Sequence, residues 1–93
     1  MLSEIPVNLA KLSKKELDKE ILRLGMIAEL DAVNLYEQLA AMTSNSSIKA
    51  VLLDISKEEK THVGEFQAML LKLDKEQEKE LAKGKKEVDE LIG

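Results

Sequence analysis

Glu29, Glu59 and His62 are the residues of this sequence whose types and spacing point to chemistry. The neighbours of Glu29 that lie three, four and seven residues away, on the same face of a helix, are all uncharged. Glu59 has an equally uncharged setting, with His62 one turn later. A buried carboxylate is costly unless it is paired or binds a metal ion. Carboxylate and imidazole ligands suit iron(II), with manganese and zinc as competitors, so the pattern predicts a metal site.

The two glutamates are expected to lie at the same level of a helical hairpin. They are equally distant from Ser44, in the middle of the polar turn 43–47. At 1.5 Å per residue, each lies about 22 Å from the bend. The midpoint in sequence between Gly25 and Gly64 is nearly the same. We expect these small residues to let the two helices approach closely beside the glutamates.

One chain offers half of a di-iron ligand set. Di-iron carboxylate proteins use a Glu from each of two helices and a Glu-x-x-His from each of two others. A two-fold dimer would supply the missing half by symmetry. With 18 acidic residues in the chain, Glu-x-x-His also arises easily by chance, and a surface or helix-pairing His62 is the alternative. Glu37 has mostly apolar neighbours too, but Val51 stands at its mirrored position.

Helical periodicity and turn signals predict the elements that position these residues. Ser13 followed by Glu16 is a capping-box pattern, and Asp74 begins a second cap pattern. We predict an all-α fold, an antiparallel two-helix hairpin with a short C-terminal helix. The single domain, residues 1–93, divides into an N-terminal arm and three helices: 1–12, 13–43, 46–73 and 75–92. The wide apolar faces of the long helices need a partner, so we expect a dimer that forms a four-helix bundle.

Composition excludes several classes of protein. The 93 residues suffice for one small domain, and the net charge of −4 argues against a nucleic-acid partner. The absence of cysteine excludes disulfides and thiol chemistry. No apolar run approaches the roughly 20 residues of a membrane span, and the start lacks the pattern of a signal peptide. We therefore expect a cytoplasmic protein with no membrane partner.

Residues 28–36 followed by 58–62 resemble the ferritin-like superfamily. The single Glu-x-x-His and the 30 residues between Glu29 and Glu59 resemble the encapsulated ferritins, and the archaeal members most closely, over most of the chain from the first helix onward. The resemblance implies two-helix subunits that pair around a shared di-iron site. It also implies a ring of five dimers, which is a decamer, and an encapsulin shell as partner, with the chain as cargo or as a fused domain.

The same resemblance implies roles for particular residues. Glu29, Glu59 and His62 would be the iron ligands, and Tyr36 would stand beside the metal site. Asp31 would belong to an acidic entry site. Some relatives carry a second acid just before the ligand glutamate, and Ala28 stands there in this chain, which would reduce that site.

The expected function is a ferroxidase that oxidises Fe(II) to Fe(III) for iron storage inside an encapsulin nanocompartment in the cytoplasm. A rubrerythrin-like di-iron peroxide reductase is one alternative, although the chain has no cysteine for a rubredoxin site. A helical assembly module that binds no metal is the other.

Overall fold

A computed structural model describes residues 12–93 of the chain, and all of this part except the turns is helical. The predicted N-terminal arm, residues 1–12, lies outside the described residues except for Leu12. Helix bounds lie within one residue of the predicted ones: α1 Lys14–Met42, α2 Ser46–Leu73 and α3 Lys75–Ile92. The predicted all-α fold is confirmed. None of the described helices combines the length and the apolar character that crossing a membrane requires.

Side-chain caps fix where α1 and α2 begin. Ser13 Oγ accepts a hydrogen bond from the Glu16 backbone N–H at 3.2 Å, so the capping serine acts as predicted. In the turn, Asn45 Oδ1 accepts from the N–H groups of Ser47 at 2.9 Å and Ile48 at 3.0 Å. These bonds satisfy free N–H groups at the helix starts, and the three-residue turn 43–45 makes α1 and α2 an antiparallel hairpin.

Asp74 alone separates α2 from α3 and ties this corner to α1. Its Oδ1 accepts from the Gln77 N–H at 3.0 Å, and its Oδ2 accepts from Arg23 Nη2 at 3.0 Å. The Gln77 hydrogen bond, aided by the nearby Lys19 and Arg23 charges, holds the pKa of Asp74 below its ordinary value despite partial burial. The start of α3 is therefore fixed, while its far half extends from the hairpin with exposed Val88, Leu91 and Ile92.

Residues 12–93 by themselves enclose almost no core. Their buried apolar residues are Val33, Ala40 and Leu70. The Cα radius of gyration is 16.6 Å, whereas a compact chain of this length has about 12 Å. Large apolar side chains remain exposed on all three helices, among them Ile21, Leu30, Leu35, Leu39, Met42, Ile48, Val51, Leu53, Met69 and Leu81. Exposed apolar faces of this extent are typical of interaction surfaces.

Candidate metal centre

Glu29, Glu59 and His62 converge between α1 and α2. His62 Nδ1 lies 3.4 Å from Glu29 Oε2 and 3.4 Å from Glu59 Oε2. All three ligand atoms lie within 4.8 Å of one another. Within residues 12–93 these are the acid and histidine side chains that one metal ion could reach together.

Helix geometry explains why these side chains meet. Glu59 and His62 are three residues apart on α2, and residues at that spacing share a helix face. Glu29 reaches them from α1, across the hairpin. The midpoint in sequence between Glu29 and His62 falls between Asn45 and Ser46. It lies slightly beyond Ser44, the midpoint expected for Glu29 and Glu59. The side chains nonetheless meet, because a shift of one residue along a helix is only about 1.5 Å.

The group holds two carboxylates and one imidazole, so His62 Nδ1 is the single possible donor to both acids. Glu29 Oε2 is buried and has no hydrogen-bond partner. The single Nδ1 atom of His62 cannot satisfy two carboxylate oxygens that are both 3.4 Å away. Bonds of about 2.1 Å from a metal ion to N and O atoms would put tetrahedral ligands about 3.4 Å apart. The donor set could therefore hold a metal ion.

One side of this group is open. The Glu29 and Glu59 side chains are 20% and 19% exposed, but that of His62 is 42% exposed. The carboxylates are thus held in the hairpin while the imidazole edge faces outward. A metal ion held by these three side chains would keep further coordination positions on the open side.

Gly25 and Phe66 bring the helices into close contact next to the ligands. A Cβ atom at Gly25 would lie 3.0 Å from both Cδ1 and Cε1 of Phe66 and 3.1 Å from its Cε2. The ring therefore occupies the space that a side chain at position 25 would need. Gly64 differs from the expectation for it, since a Cβ there would meet nothing within 4 Å of this chain. Of these two glycines, Gly25 alone lies at a close contact between α1 and α2.

Glu37 has ordinary partners. Its Oε2 lies 3.0 Å from Lys60 Nζ and accepts a hydrogen bond from Ser56 Oγ at 3.3 Å. The hydrogen bond from Lys60, followed by the charge of Lys60, lowers the pKa of Glu37. The helical pattern of the sequence did not predict either partner. Their spacing of four residues on α2 is the signal that could have found them, because it places a donor pair on one helix face.

The remaining candidates lie on α1 near Glu29. Tyr36 is half-buried and lies two turns closer to the hairpin turn, on the same side of the helix. Asp31 is also half-buried, but two residues along a helix point in a different direction, and it is not one of the three converging side chains. Asp31 takes part in an interaction of its own.

A helical hairpin with one inward Glu and one Glu-x-x-His has the architecture of a ferritin-like half-bundle. The sequence profile of the EncFtn-like family matches residues 5–88, and the chain belongs to this family. The predicted resemblance to the encapsulated ferritins is therefore confirmed.

Two proteins from Pyrococcus furiosus are similar to nearly the whole of this chain. The crystal structure of an encapsulated ferritin domain from Pyrococcus furiosus superposes with a TM-score of 0.87 at 53% identity, covering 100% of this chain and 97% of that one. The ferritin-like–encapsulin shell fusion protein of Pyrococcus furiosus is 54% identical over 87 residues, which are 94% of this chain and 25% of that protein.

A third relative is a bacterial cargo protein. Encapsulin nanocompartment cargo protein EncC of Myxococcus xanthus is 40% identical over 67 residues, 72% of this chain and 51% of that protein. The chain thus spans between a quarter and a half of the length of these two curated relatives.

Proposed function

We propose that the chain is a ferroxidase subunit whose substrate is iron(II). The observation that carries the proposal is the buried, unpartnered Glu29 Oε2 beside Glu59 and His62. Glu29 Oε2 lies 3.4 Å from His62 Nδ1 but makes no hydrogen bond with it, whereas Lys60 and Ser56 satisfy Glu37. A buried carboxylate oxygen without a hydrogen bond is available to a metal ion.

The donor set supports the chemistry. Two carboxylates and one imidazole suit a divalent first-row metal ion such as iron(II). The two negative charges favour the more highly charged iron(III) product, because they stabilise positive charge at short range. Each bound iron(II) would lose one electron, and dioxygen or peroxide would accept the pair. Tyr36, beside the ligands on α1, is proposed to line the site, and Asp31 to lie on the route by which iron enters.

A second copy of the chain would complete the site. One chain supplies one Glu and one Glu-x-x-His, and a two-fold axis beside His62 would add the same set again. The same pairing would cover the apolar side chains that the hairpin leaves exposed and would give a four-helix bundle. Because ligands would come from both chains, metal binding and association should be linked. A ring of five such dimers is the assembly that the family resemblance suggests.

Relatives suggest where the reaction takes place. One carries a ferritin-like part fused to an encapsulin shell, and another is a nanocompartment cargo protein. We propose that this chain likewise acts within an encapsulin nanocompartment in the cytoplasm, as cargo or as part of a shell fusion. The shell would then hold the iron(III) mineral that a single hairpin cannot enclose.

Stopped-flow iron(II) oxidation tests the proposal. Glu59→Ala and His62→Ala should slow rapid oxidation at least about a hundredfold, since each removes a ligand. Glu58→Ala is the matched control, because Glu58 is an exposed acid next to Glu59 on the same helix. Circular dichroism should show unchanged helix content in all three variants.

The outcomes separate the alternatives. Wild-type oxidation rates in His62→Ala would contradict the site. Repeated reduction of peroxide with an added electron donor, without accumulation of iron(III), would favour the peroxide reductase. Native mass spectrometry after anaerobic iron(II) addition should find two irons for each pair of subunits. A stable oligomer that takes up no iron would indicate the assembly module.

A further inference from the structure

The contact between Gly25 and Phe66 adjoins the ligand group on both helices. Gly25 precedes Glu29 by four residues on α1, and Phe66 follows His62 by four residues on α2. Residues four apart lie on one helix face, one turn from each other. The glycine and the ring therefore form the first layer of the helix interface beyond the ligands, on the side away from the hairpin turn.

This layer is already tight without a side chain at position 25. Three ring atoms of Phe66 lie 3.0 to 3.1 Å from where a Cβ at Gly25 would be, so the added atom would meet the face of the ring. Carbon atoms in favourable contact are about 3.5–4.0 Å apart. A methyl group there would have to displace the ring by a few tenths of an ångström.

We propose that Gly25 is a positioning residue of the metal site. Its missing side chain lets the Phe66 ring lie directly on α1, and this contact sets the helix separation at which Glu29 reaches His62 and Glu59. The inference rests on the proposed function, since it concerns the geometry of the same ligands. It assigns to Gly25 a role in metal affinity that the residue exerts through Phe66, without touching the metal ion.

The expected effect follows from how strictly metal sites depend on geometry. Ligand constellations must be held within about 0.5 Å of the productive arrangement. A shift of a few tenths of an ångström at the adjacent layer uses up much of this tolerance. It should weaken metal binding about tenfold or more, as the loss of groups that orient ligands does. Alanine is also the better helix former, so the same substitution should not weaken α1 itself. Gly25→Ala is thus expected to lower metal affinity without lowering the stability of α1.

Anaerobic cobalt(II) titration of the metal-free protein tests this inference, because the visible spectrum reports both affinity and coordination geometry. Gly25→Ala should bind cobalt(II) about tenfold more weakly or worse, with an altered spectrum. Gly84→Ala is the matched control, since a Cβ at Gly84 meets nothing within 4 Å and the residue lies on α3. It should bind cobalt(II) as the wild type does.

A compensating variant keeps the test decisive. Gly25→Ala combined with Phe66→Leu removes the ring that the new methyl group meets, and should recover the affinity and spectrum of Phe66→Leu alone. Unchanged affinity in Gly25→Ala, while the wild type binds cobalt(II), would overturn the positioning role and leave the proposed function intact. A loss that the double variant does not recover would overturn the steric explanation. Failure of the wild type to bind cobalt(II) would overturn both proposals.

Discussion

Glu29 and Glu37 lie on the same helix, eight residues apart, and both have mostly apolar neighbours along that helix. Their surroundings across the hairpin differ. Glu37 is 46% exposed and has both a lysine and a hydroxyl donor. Glu29 is 20% exposed, and its buried oxygen faces a second carboxylate and an imidazole without a hydrogen bond.

The difference shows that the facing helix decides what an acid on an apolar stripe does. Lys60 and Ser56 complete the charge and hydrogen-bond requirements of Glu37, which makes it a link between α1 and α2. Glu59 and His62 bring a second carboxylate and an imidazole next to Glu29 but give its buried oxygen no hydrogen bond. Neighbours on the same helix do not separate the two cases.

The largest expected difference between the two glutamates is in metal affinity. Glu29→Gln removes the charge of a proposed ligand and should weaken cobalt(II) or iron(II) binding at least about a hundredfold. Glu37→Gln keeps an acceptor for Ser56 and should leave the affinity within about twofold, because distant surface charges are screened. Anaerobic titration of both variants measures the difference. Equal losses in the two variants would contradict the distinction drawn between them.

Without metal, substitutions at the two glutamates should change the free energy of unfolding in opposite directions. Glu29→Leu removes a buried, unpartnered carboxylate that lies close to another one, and should raise the free energy of unfolding by about 1 kcal/mol. Glu37→Leu leaves Ser56 and Lys60 without their acceptor and should lower it. Thermal melting at one fixed protein concentration compares them.

Metal addition sharpens this second comparison. Wild type should gain stability with cobalt(II), by about 2.7 kcal/mol at a hundred times the dissociation constant. Glu29→Leu should gain almost no stability from cobalt(II), so it should no longer be more stable than the wild type. A Glu29→Leu protein that is less stable than the metal-free wild type would show that Glu29 has a structural partner instead.

The sequence sufficed for the helices and the three converging side chains because both depend on local periodicity. Caps at Ser13, Asn45 and Asp74 begin the three helices through hydrogen bonds to residues within three positions. Glu59 and His62 follow from helical spacing, and Glu29 follows from the short turn, which leaves little freedom in the hairpin register.

Contacts that depend on side-chain reach across the hairpin could not be obtained in this way. The Lys60 side chain extends along the interface to Glu37. Pairing residues that are equally distant from the turn therefore selected Val51 instead. Gly25 and Gly64 are equivalent in the sequence argument, but the position of the Phe66 ring makes only Gly25 a close contact. Such differences arise from rotamers and helix rotation, which periodicity does not specify.

The smallest expected effect concerns the acid limit of stability. The pKa of Glu37 lies below its ordinary value of 4.5 in the folded protein, chiefly through the Lys60 hydrogen bond. A lowered folded-state pKa contributes stability that is fully present above the unfolded value and is lost as the pH falls through the folded one. The melting temperature of the wild type should therefore exceed that of Glu37→Gln by a constant amount above about pH 4.5, and the gap should close below it.

Two features keep this effect small and make it testable. Glu37 and Lys60 are 46% and 61% exposed, and exposed ion pairs contribute little. Asp74 also has a lowered pKa, but it is present in both proteins, so its contribution cancels in the difference. In 1 M salt, where the screening length is about 3 Å, the gap should shrink further. A gap that widens as the pH falls would mean that protonated Glu37 is the form that holds α1 against α2.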